Sequence, residues 1–314
     1  MDLKQLEYIV AIEQYGNVTE AASRLFVTPS ALNQQLLKLE KELNLLLFTR
    51  GRRQMIPTKA GRIYLDTAKQ MLNMRQITYA QLQDLSGHLV GTYQIGLSFE
   101  HGSDMFARIY PSFNKIYPGV QMRCVQLLVP DMLERLESRQ LDIAFILTGD
   151  CTKLQSVEYI PLSEENLLLG LPVNHPVVKS LYGDNPPPYP TCTFDLNLVR
   201  SDDFAFALSR STMRRDLIDP IFQKAGIAPN IIIESSFNNF LEQLASQGIC
   251  NAIIPQSRIR NFKDIAWFYL PGHPRFQFGA AYQKNYRLNQ AQQAFIQLAK
   301  EDAMRHMNFP PPEC

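Results

Sequence analysis

The chain of 314 residues is 46% hydrophobic and 19% charged, and its formal net charge is +1. This length exceeds that of one compact helical domain and suffices for two or three hydrophobic cores. The sequence contains no run of about 18 uninterrupted apolar residues, so it predicts no membrane-spanning helix. Residues 1–62 carry nine Lys and Arg against six Asp and Glu, a net charge of +3, whereas the remainder has 22 against 24, a net charge of −2. The N-terminus lacks the basic flank and apolar core of a signal peptide, so we expect a cytoplasmic protein with a basic N-terminal region.

Residues 19–40 predict two helices joined by a tight turn. Thr19 and Thr28 each stand where a helix needs a side-chain acceptor for its free amides, and Pro29 follows at the first helical position, which tolerates proline. Apolar residues recur at helical spacing, namely Ala21, Ala22 and Leu25 on the first helix and Ala31, Leu32, Leu36 and Leu39 on the second. The outer face of the second helix is polar, which fits a DNA-reading helix-turn-helix but is also typical of a solvated surface.

A basic arm follows this helix pair. Residues 47–61 predict a short extended hairpin with Gly51 at its tip and Arg50, Arg52 and Arg53 around it. A basic hairpin beside a helix-turn-helix is a wing that can bind phosphate or enter the minor groove. The arm therefore favours DNA binding over the solvated-surface interpretation.

Residues 1–62 resemble the winged helix-turn-helix of the LysR-type transcriptional regulators. The shared positions are Leu3, Leu6, Ala21, Ala22, Leu25, Ala31, Gln35, Leu39, Glu40, Leu43, Leu47, Phe48, Arg50, Thr58, Ala60 and Gly61. The chain departs where the family usually has Gln-Pro in place of Pro29-Ser30, Ser in place of Asn33 and Leu in place of Pro57. The first two departures lie on the face expected to read bases, so the resemblance implies DNA binding and leaves the operator sequence open.

The resemblance also implies roles for individual residues of the DNA-binding surface, whose recognition helix starts at Thr28. The expected base readers are Pro29, Ser30, Asn33 and Gln34. The residues expected to contact phosphate are Gln35, Lys38, Arg50, Arg52 and Arg53.

From Thr58 to about Gly87 the sequence predicts one uninterrupted helix of about 28 residues, about 42 Å long. Its broad apolar stripe cannot be buried by the helix alone, so the simplest partner is the same helix of a second copy, and packing on the chain's own body is the alternative. The resemblance favours the dimer, because this family places its dimerising linker helix here. The expected interface residues are Ile63, Ala68, Met71, Leu72, Arg75, Tyr79 and Leu82.

From Gly91 onward strands alternate with helices, which predicts two α/β lobes. The first lobe is expected to have strands at 92–98, 121–128 and 142–147 and helices at 105–117 and 131–138. The second is expected to have strands at 167–171, 204–208, 231–234 and 252–254 and helices at 212–225 and 238–247. Return segments at 267–270 and 277–283 and a last helix at 289–304 would then close the first lobe.

This body resembles the periplasmic-binding-protein-like effector domain of LysR-type regulators. The matching stretches are Gly91 with Ile95-Gly96, Tyr117-Pro118-Gly119-Val120, Leu141-Asp142-Ile143-Ala144, His175-Pro176, Ala225-Gly226 and Ile253-Ile254-Pro255. The predicted architecture is α/β, with a winged helix-turn-helix at 1–58, a linker and dimerisation helix at 59–89 and a two-lobed effector-binding domain at 90–314. Lobe I would comprise about 91–162 and 266–304, and lobe II about 163–265.

A small molecule is expected to bind between the lobes, where the carboxyl ends of several strands meet. The expected lining is Ser98, Phe99, His101, Gly102, Leu128, Val129 and Thr148 from the first lobe and Ala207, Leu208, Ser209 and Thr212 from the second. Hydroxyls and free amides at a helix start suit an anion, so we favour a small, partly apolar ligand that can carry a carboxylate. As alternatives, Ser98, Ser209 and Thr212 only cap helices, and His101 is an exposed loop histidine.

Other classes of function fit the sequence less well. No G-x-S-x-G, G-x-G-x-x-G, H-E-x-x-H or P-loop motif is present and the five histidines lack metal-ligand spacing, so no catalytic residue, metal or cofactor is expected. A solute-binding protein for transport would explain the body but not the N-terminal region. The cysteines are Cys124, Cys151, Cys192, Cys250 and Cys314, an odd and widely spaced set, and a redox-sensing regulator of the same family is the alternative they leave open.

These features together predict a sequence-specific DNA-binding regulator of transcription that is controlled by a small molecule. The expected partners are double-stranded DNA, the effector and further copies of the chain, as a homodimer that pairs into a homotetramer. RNA polymerase is left open as a further partner, and no membrane association is expected.

Overall fold

A computed structural model describes residues 2–51, 54–86, 90–187, 189–284 and 286–306. The chain divides into two compact units, residues 1–87 and 88–314. The first unit contains the predicted winged helix-turn-helix, here called the head, together with the long helix. The second unit, here called the body, contains the alternating strands and helices. The long helix therefore belongs to the compact unit of the head.

The first unit begins with three helices, each started by a side-chain cap. They are α1 (Leu3–Tyr15), α2 (Val18–Arg24) and α3 (Pro29–Leu43). The cap predicted at Thr28 is confirmed, because its Oγ1 accepts a hydrogen bond from the amide of Ala31 at 3.2 Å. The cap predicted at Thr19 is wrong. Asn17 takes that place, since its side chain accepts from the amide of Glu20 at 2.7 Å, and Thr19 lies inside the helix.

The three helices enclose a small core. Leu32, Leu36 and Leu39 of α3 are buried as predicted, since they recur at spacings of four and three on the inner face. Ala31 was predicted to belong to this stripe, but it is exposed in the first turn of α3. The buried residues that face α3 are Leu6, Ile9 and Ile12 of α1 and Ala21 and Ala22 of α2.

The predicted wing is a two-stranded antiparallel hairpin of β1 (Phe48–Arg50) and β2 (Met55–Pro57). Its base is attached to α3 by the carboxylate of Glu40. One oxygen of that buried carboxylate accepts hydrogen bonds from the amides of Leu47 at 2.7 Å and Phe48 at 3.2 Å. A buried acid of the recognition helix thus fixes where the wing begins.

The long helix α4 (Lys59–Ser86) has 28 residues, as predicted. Its cap is Thr58, whose Oγ1 accepts from the amide of Gly61 at 3.0 Å. A Cβ on Gly61 would lie 2.0 Å from the carbonyl oxygen of Leu47, so only glycine allows α4 to pass this close to the base of the wing. The side chains that α4 buries in the core of the head are Tyr64, Leu65 and Ala68.

The second unit starts with the predicted β-α-β-α-β run of lobe I. Its elements are β3 (Gly91–Leu97), α5 (His101–Ile116), β4 (Val120–Gln126), α6 (Val129–Glu137) and β5 (Ile143–Thr148). β3 is parallel to both β4 and β5. The last helix, α10 (Gln290–His306), covers this lobe, where Phe295 is fully buried and Asp302 accepts two hydrogen bonds from the guanidinium of Arg108 at 2.8 and 2.7 Å.

One strand runs through both lobes. This strand, β6 (Val157–Pro172), has 16 residues, although only 167–171 was predicted as strand. Its first part pairs with β11 (Arg275–Gln283) and its last part with β9 (Asn251–Pro255) and β10 (Ile265–Tyr269). The first part was missed because its charged, partly exposed residues interrupt the apolar run by which the rest was identified.

The pairing of β6 also corrects the predicted return to the first lobe. β11 does return, since it pairs with β5. The segment at 267–270 does not, because β10 pairs with 168–172 and so extends the sheet of the second lobe. Lobe II therefore continues past residue 265 and includes β10.

Lobe II is completed by parallel strands and short helices. Its remaining elements are α7 (Pro176–Tyr182), β7 (Asp203–Ala207), α8 (Asp219–Lys224), β8 (Asn230–Ser235) and α9 (Asn238–Ser246). β7 is parallel to both β8 and β9. The helix predicted over 212–225 is confirmed, since residues 212–224 are helical throughout. A π-helical turn, Arg214–Ile218, interrupts its regular geometry just before α8, where Pro220 has no amide hydrogen to donate to the carbonyl four residues earlier.

Candidate DNA-binding face and effector cleft

The outer face of α3 presents the predicted DNA-binding residues to solvent. Thr28, Pro29, Ser30, Gln34, Gln35 and Lys38 are exposed, and Asn33 is half-buried. Positions 30, 34 and 38 recur every four residues and so line up along one side of the helix. The fold thus gathers the hydroxyl, amide and ammonium groups of α3 into one row, with Asn33 at its inner edge.

The wing is a closed hairpin beside this helix in the same unit. The amide of Gly51 donates to the carbonyl of Gln54 at 2.9 Å, and Thr49 Oγ1 donates to the carbonyl of Ile56 at 3.2 Å. Of the predicted phosphate contacts here, the structure describes only the backbone of Arg50. Arg52 and Arg53 lie outside the described residues, so the phosphate role of all three arginines stays a prediction.

Sequence reasoning missed an aromatic residue near the start of α3. Phe26 is 96% exposed and has a φ of 55°, a left-handed conformation that is uncommon for an aromatic residue. The sequence carries no signal for its exposure, because an aromatic residue between two amphipathic helices is equally typical of a core. The ring stands in the turn between α2 and α3, two residues before the cap at Thr28.

The stripe predicted on α4 for dimerisation is divided between two faces. Four of its residues are exposed, namely Ile63 at 65%, Met71 at 42%, Tyr79 at 61% and Leu82 at 55%. The other three contact the chain's own head, and a dimer role for the partly exposed Leu72 and Arg75 stays a prediction. Ala68 is buried in the core, Leu72 packs against that core, and Arg75 forms an ion pair with Glu7 of α1 at 2.6 Å. One side of the apolar stripe on α4 therefore packs against the head, and the other side is exposed.

The second unit contains a cavity of about 70 Å³ between its two lobes. Eight of the predicted effector contacts line it: Ser98, Phe99, His101, Leu128, Val129, Ala207, Leu208 and Thr212. The further lining residues are Glu100, Leu127, Leu147, Ser211, Met213, Ser235, Ser236 and Asn238. Sequence analysis missed Ser235, the last residue of β8, and Ser236, which follows it. Both lie at the carboxyl end of a strand, where ligand contacts were expected.

Three predicted effector contacts are not part of this lining. Gly102 is buried in the first turn of α5, where its amide donates to Ser98 Oγ at 2.9 Å. Thr148 is also buried, and its hydroxyl donates to the carbonyl of Asp150 at 3.1 Å. Ser209 is exposed and lies outside the cavity. These positions flank the site and shape it without facing it.

The expectation that His101 is an exposed loop histidine is wrong. His101 begins α5 and is 1% exposed. Its Nε2 lies 2.8 Å from Oε1 of Glu165, and the other oxygen of Glu165 accepts from the amide of Ser257 at 2.8 Å. Burial opposes ionisation of Glu165, but His101 and Ser257 hold the pKa of this carboxyl below its usual value.

Several polar contacts join the lobes across the cavity. The carboxylate of Glu100, in the loop after β3, accepts from the amide and the side-chain nitrogen of Asn238 at the start of α9. Arg210 of lobe II pairs with Asp131 of lobe I at 2.9 Å. In addition, Thr212 Oγ1 donates to the carbonyl of Leu147 at 2.9 Å. Both lobes thus contribute to one crevice.

The described residues contain no group of three or more His, Cys, Asp or Glu side chains arranged to hold a metal ion. Within the same part of the chain, no helix has both the length and the apolar character to cross a membrane.

Comparison with known proteins matches each of the two units to a family model. Residues 3–62 match the family model of the bacterial regulatory helix-turn-helix protein, lysR family, and residues 86–304 match that of the LysR substrate binding domain. Among curated proteins, the uncharacterized HTH-type transcriptional regulator YybE of Bacillus subtilis is 26% identical over 273 residues, which cover 85% of this chain and 88% of the relative.

Solved structures of 19% sequence identity share the fold. A full-length variant of OxyR from Pseudomonas aeruginosa superposes with a TM-score of 0.68 over 97% of this chain and 95% of its own. Full-length CbnR complexed with its target DNA has a TM-score of 0.53 over 96% of this chain and 100% of its own. Since the two family models together match most of the chain, it belongs to the LysR family and is a DNA-binding transcriptional regulator, not an enzyme, with a two-lobed effector-binding domain.

Proposed function

We propose that this regulator reads its operator with the exposed row on α3 and responds to a small molecule held between the two lobes of its body. The observation that carries the proposal is the cavity itself, since residues from the strand ends of both lobes line it. Ligand binding there would change the angle between the lobes, and with it the contacts between the bodies of an oligomer. The two wings of a dimer would then shift relative to two operator half-sites.

The DNA-binding residues can be tested by measuring the affinity of full-length variants for a selected operator and for random DNA at several salt concentrations. Replacing Arg50 and Arg53 with Ala should weaken binding to both DNAs alike and flatten the salt dependence. Replacing Asn33 with Ala should change the preference at one base position, and uniform weakening would make Asn33 a positioning residue. Lys224→Ala, on α8 of the body, is the matched control for loss of a cation.

The effector response can be tested with a footprint on the operator. A compound that raises the melting temperature of the body should alter the protected region when it is added. An unchanged footprint at saturating concentrations of a compound shown to bind in the cleft would contradict the proposed mechanism.

We further propose a homodimer built on the exposed half of the α4 stripe, with dimers pairing into a tetramer. Ile63 and Met71 lie on this half, and an exposed apolar row of this kind is stabilised by packing against a like helix. Ile63→Glu with Met71→Glu should therefore lower the mass measured by light scattering. The same variant should leave the Trp267 fluorescence of the body unchanged. Contacts with RNA polymerase and a location in the cytoplasm complete the proposal.

The surroundings of Cys250 and Cys151 do not favour the redox alternative. Cys124, Cys151, Cys192 and Cys250 are all free. Burial raises the pKa of Cys250 to about 11, and partial burial together with Asp150 raises the pKa of Cys151. A raised pKa disfavours the thiolate, which is the form that reacts with oxidants. Cys314 lies outside the described residues.

A further inference from the structure

We propose that the effector of this regulator is a small amine, a molecule with an ammonium group on a short apolar body. This inference rests on the proposed function of the cleft and specifies the chemistry that the cleft selects. The amine replaces the carboxylate-bearing ligand that we favoured from the sequence. That expectation rested on hydroxyls and helix starts, whereas the charge of the lining becomes visible only in the folded structure.

The first argument is the charge of the lining. Among the described residues that line the cavity, Glu100 has the one carboxylate, and none is Lys or Arg. His101 is already hydrogen-bonded to the buried carboxylate of Glu165. Glu100 contacts Asn238, a neutral residue, so its negative charge has no cation to balance it among the described salt bridges. An anion in this cavity would be repelled by Glu100, whereas an ammonium group would be attracted.

The second argument is that nearby cations are already paired with acids. Arg210 pairs with Asp131, Arg258 with Asp104, and Arg214 with Glu234 at 3.1 Å and also with Asp219. None of these arginines is part of the cavity lining. A ligand carboxylate would therefore have to break an existing ion pair to obtain a charged partner.

The third argument concerns the helices that begin at the cavity. A free helix N-terminus would favour an anion, because its amides carry partial positive charge. Here each start already has a carboxylate of the chain itself. Asp104 lies in the first turn of α5, Asp131 lies in the first turn of α6, and Glu100 accepts from the first amide of α9. A carboxylate at each start offsets part of the attraction of the helix dipole for an anion, and at α9 it also takes the first amide.

The rest of the lining fits an apolar body of limited size. Phe99, Leu128, Val129 and Met213 supply apolar surface around the cavity of about 70 Å³. The ring of Phe99 is also able to attract a cation through its face. A short alkyl or benzyl amine matches both the surface and the charge.

The test uses full-length protein and two sets of probes that share a skeleton: butylamine, 1-butanol and butyrate, and benzylamine, benzyl alcohol and benzoate. Binding is measured by titration calorimetry and by the shift in melting temperature at constant pH and ionic strength. The amine of a set should bind at least about tenfold more tightly than its carboxylate. In Glu100→Gln, which keeps an acceptor for the Asn238 amide but removes the charge, this preference should disappear while the melting temperature without probe changes little.

Each result decides between the proposals. Tighter binding of a carboxylate, equal binding of all three members, or no response to either amine would overturn the amine class. Ser236→Trp, which fills the cavity from the loop after β8, should abolish the response to the amine. If it instead abolishes the response to an alcohol or a carboxylate, the cleft remains the effector site and only the ligand class is wrong. A response that survives Ser236→Trp would overturn the cleft as the site.

Discussion

Replacing Glu40 with Ala should detach the base of the wing from the recognition helix. The buried carboxylate accepts hydrogen bonds from the amides of Leu47 and Phe48, at 2.7 and 3.2 Å. A hydrogen bond to a charged group contributes about 1.5 to 3 kcal/mol, so losing both should destabilise this junction by at least about 3 kcal/mol, the lower end of the range for two bonds. Since about 1.4 kcal/mol corresponds to a tenfold change, local opening should become about 100-fold more frequent.

The assay is amide hydrogen exchange of full-length protein, followed by mass spectrometry of peptides that cover residues 44–50. In Glu40→Ala these amides should exchange about 100-fold faster, by the same estimate for two lost bonds to a charged acceptor. Glu40→Gln, which keeps one neutral acceptor, should give an intermediate increase. Operator affinity should fall in the same order because the wing is no longer held in place.

Two controls make the result interpretable. Glu42→Ala removes an exposed acid from the same helix and should leave exchange at 44–50 unchanged. The chain has one tryptophan, Trp267, which lies in β10 of the other unit, so its fluorescence reports the body independently. If Glu40→Ala left exchange of Leu47 and Phe48 at the wild-type rate, the assignment of these hydrogen bonds as the anchor of the wing would be refuted.

Three further predictions concern the body. Gly170→Ala should lower the melting temperature and alter the fluorescence of Trp267, because the added Cβ would lie 2.6 Å from the indole ring, and an unchanged emission spectrum would contradict this contact. The pKa of Glu165 is lowered in the fold, so its contribution to stability is present above the unfolded value of about 4.3 and is lost as the pH falls through the lower folded value. Glu165→Gln should therefore destabilise the body at pH 7 and flatten its acid transition below about pH 4.3, as followed by circular dichroism, and a variant with the wild-type profile would exclude that role. Cys250, buried and with its pKa raised to about 11, should resist iodoacetamide at pH 7.5 until the body unfolds, and rapid labelling in the native state would show that it is accessible.

The sequence was sufficient where local chemistry determines structure. The cap at Thr28 and the proline after it fix the start of α3, and the spacing of Leu32, Leu36 and Leu39 fixes its buried face. Local sequence patterns also predicted most strands of the body. Eight of the cavity residues followed from these strands, because the carboxyl ends of parallel strands meet at one edge of a sheet.

What the sequence could not supply depends on pairings between distant segments. Glu100 carries no signal of its role in the sequence, because its partner Asn238 is 138 residues away. His101 likewise meets Glu165 across 64 residues, so its burial could not be read from its neighbours. Ala68 and Leu72 share one stripe with Ile63, and only the position of α1 shows which of them the head buries.

The continuous strand β6 has a consequence for the order in which the body can fold. Lobe II is built from one uninterrupted stretch, since the last part of β6 pairs with β9 and β10, which follow it within the same region of the chain. The sheet of lobe I is different: β11 lies between β5 and β6, so its centre is empty until residues 275–283 have been synthesised. Contacts between distant segments form late, and a nascent chain should therefore hold a folded second lobe beside an incomplete first one. Crevice formation would then be among the last events of biosynthesis.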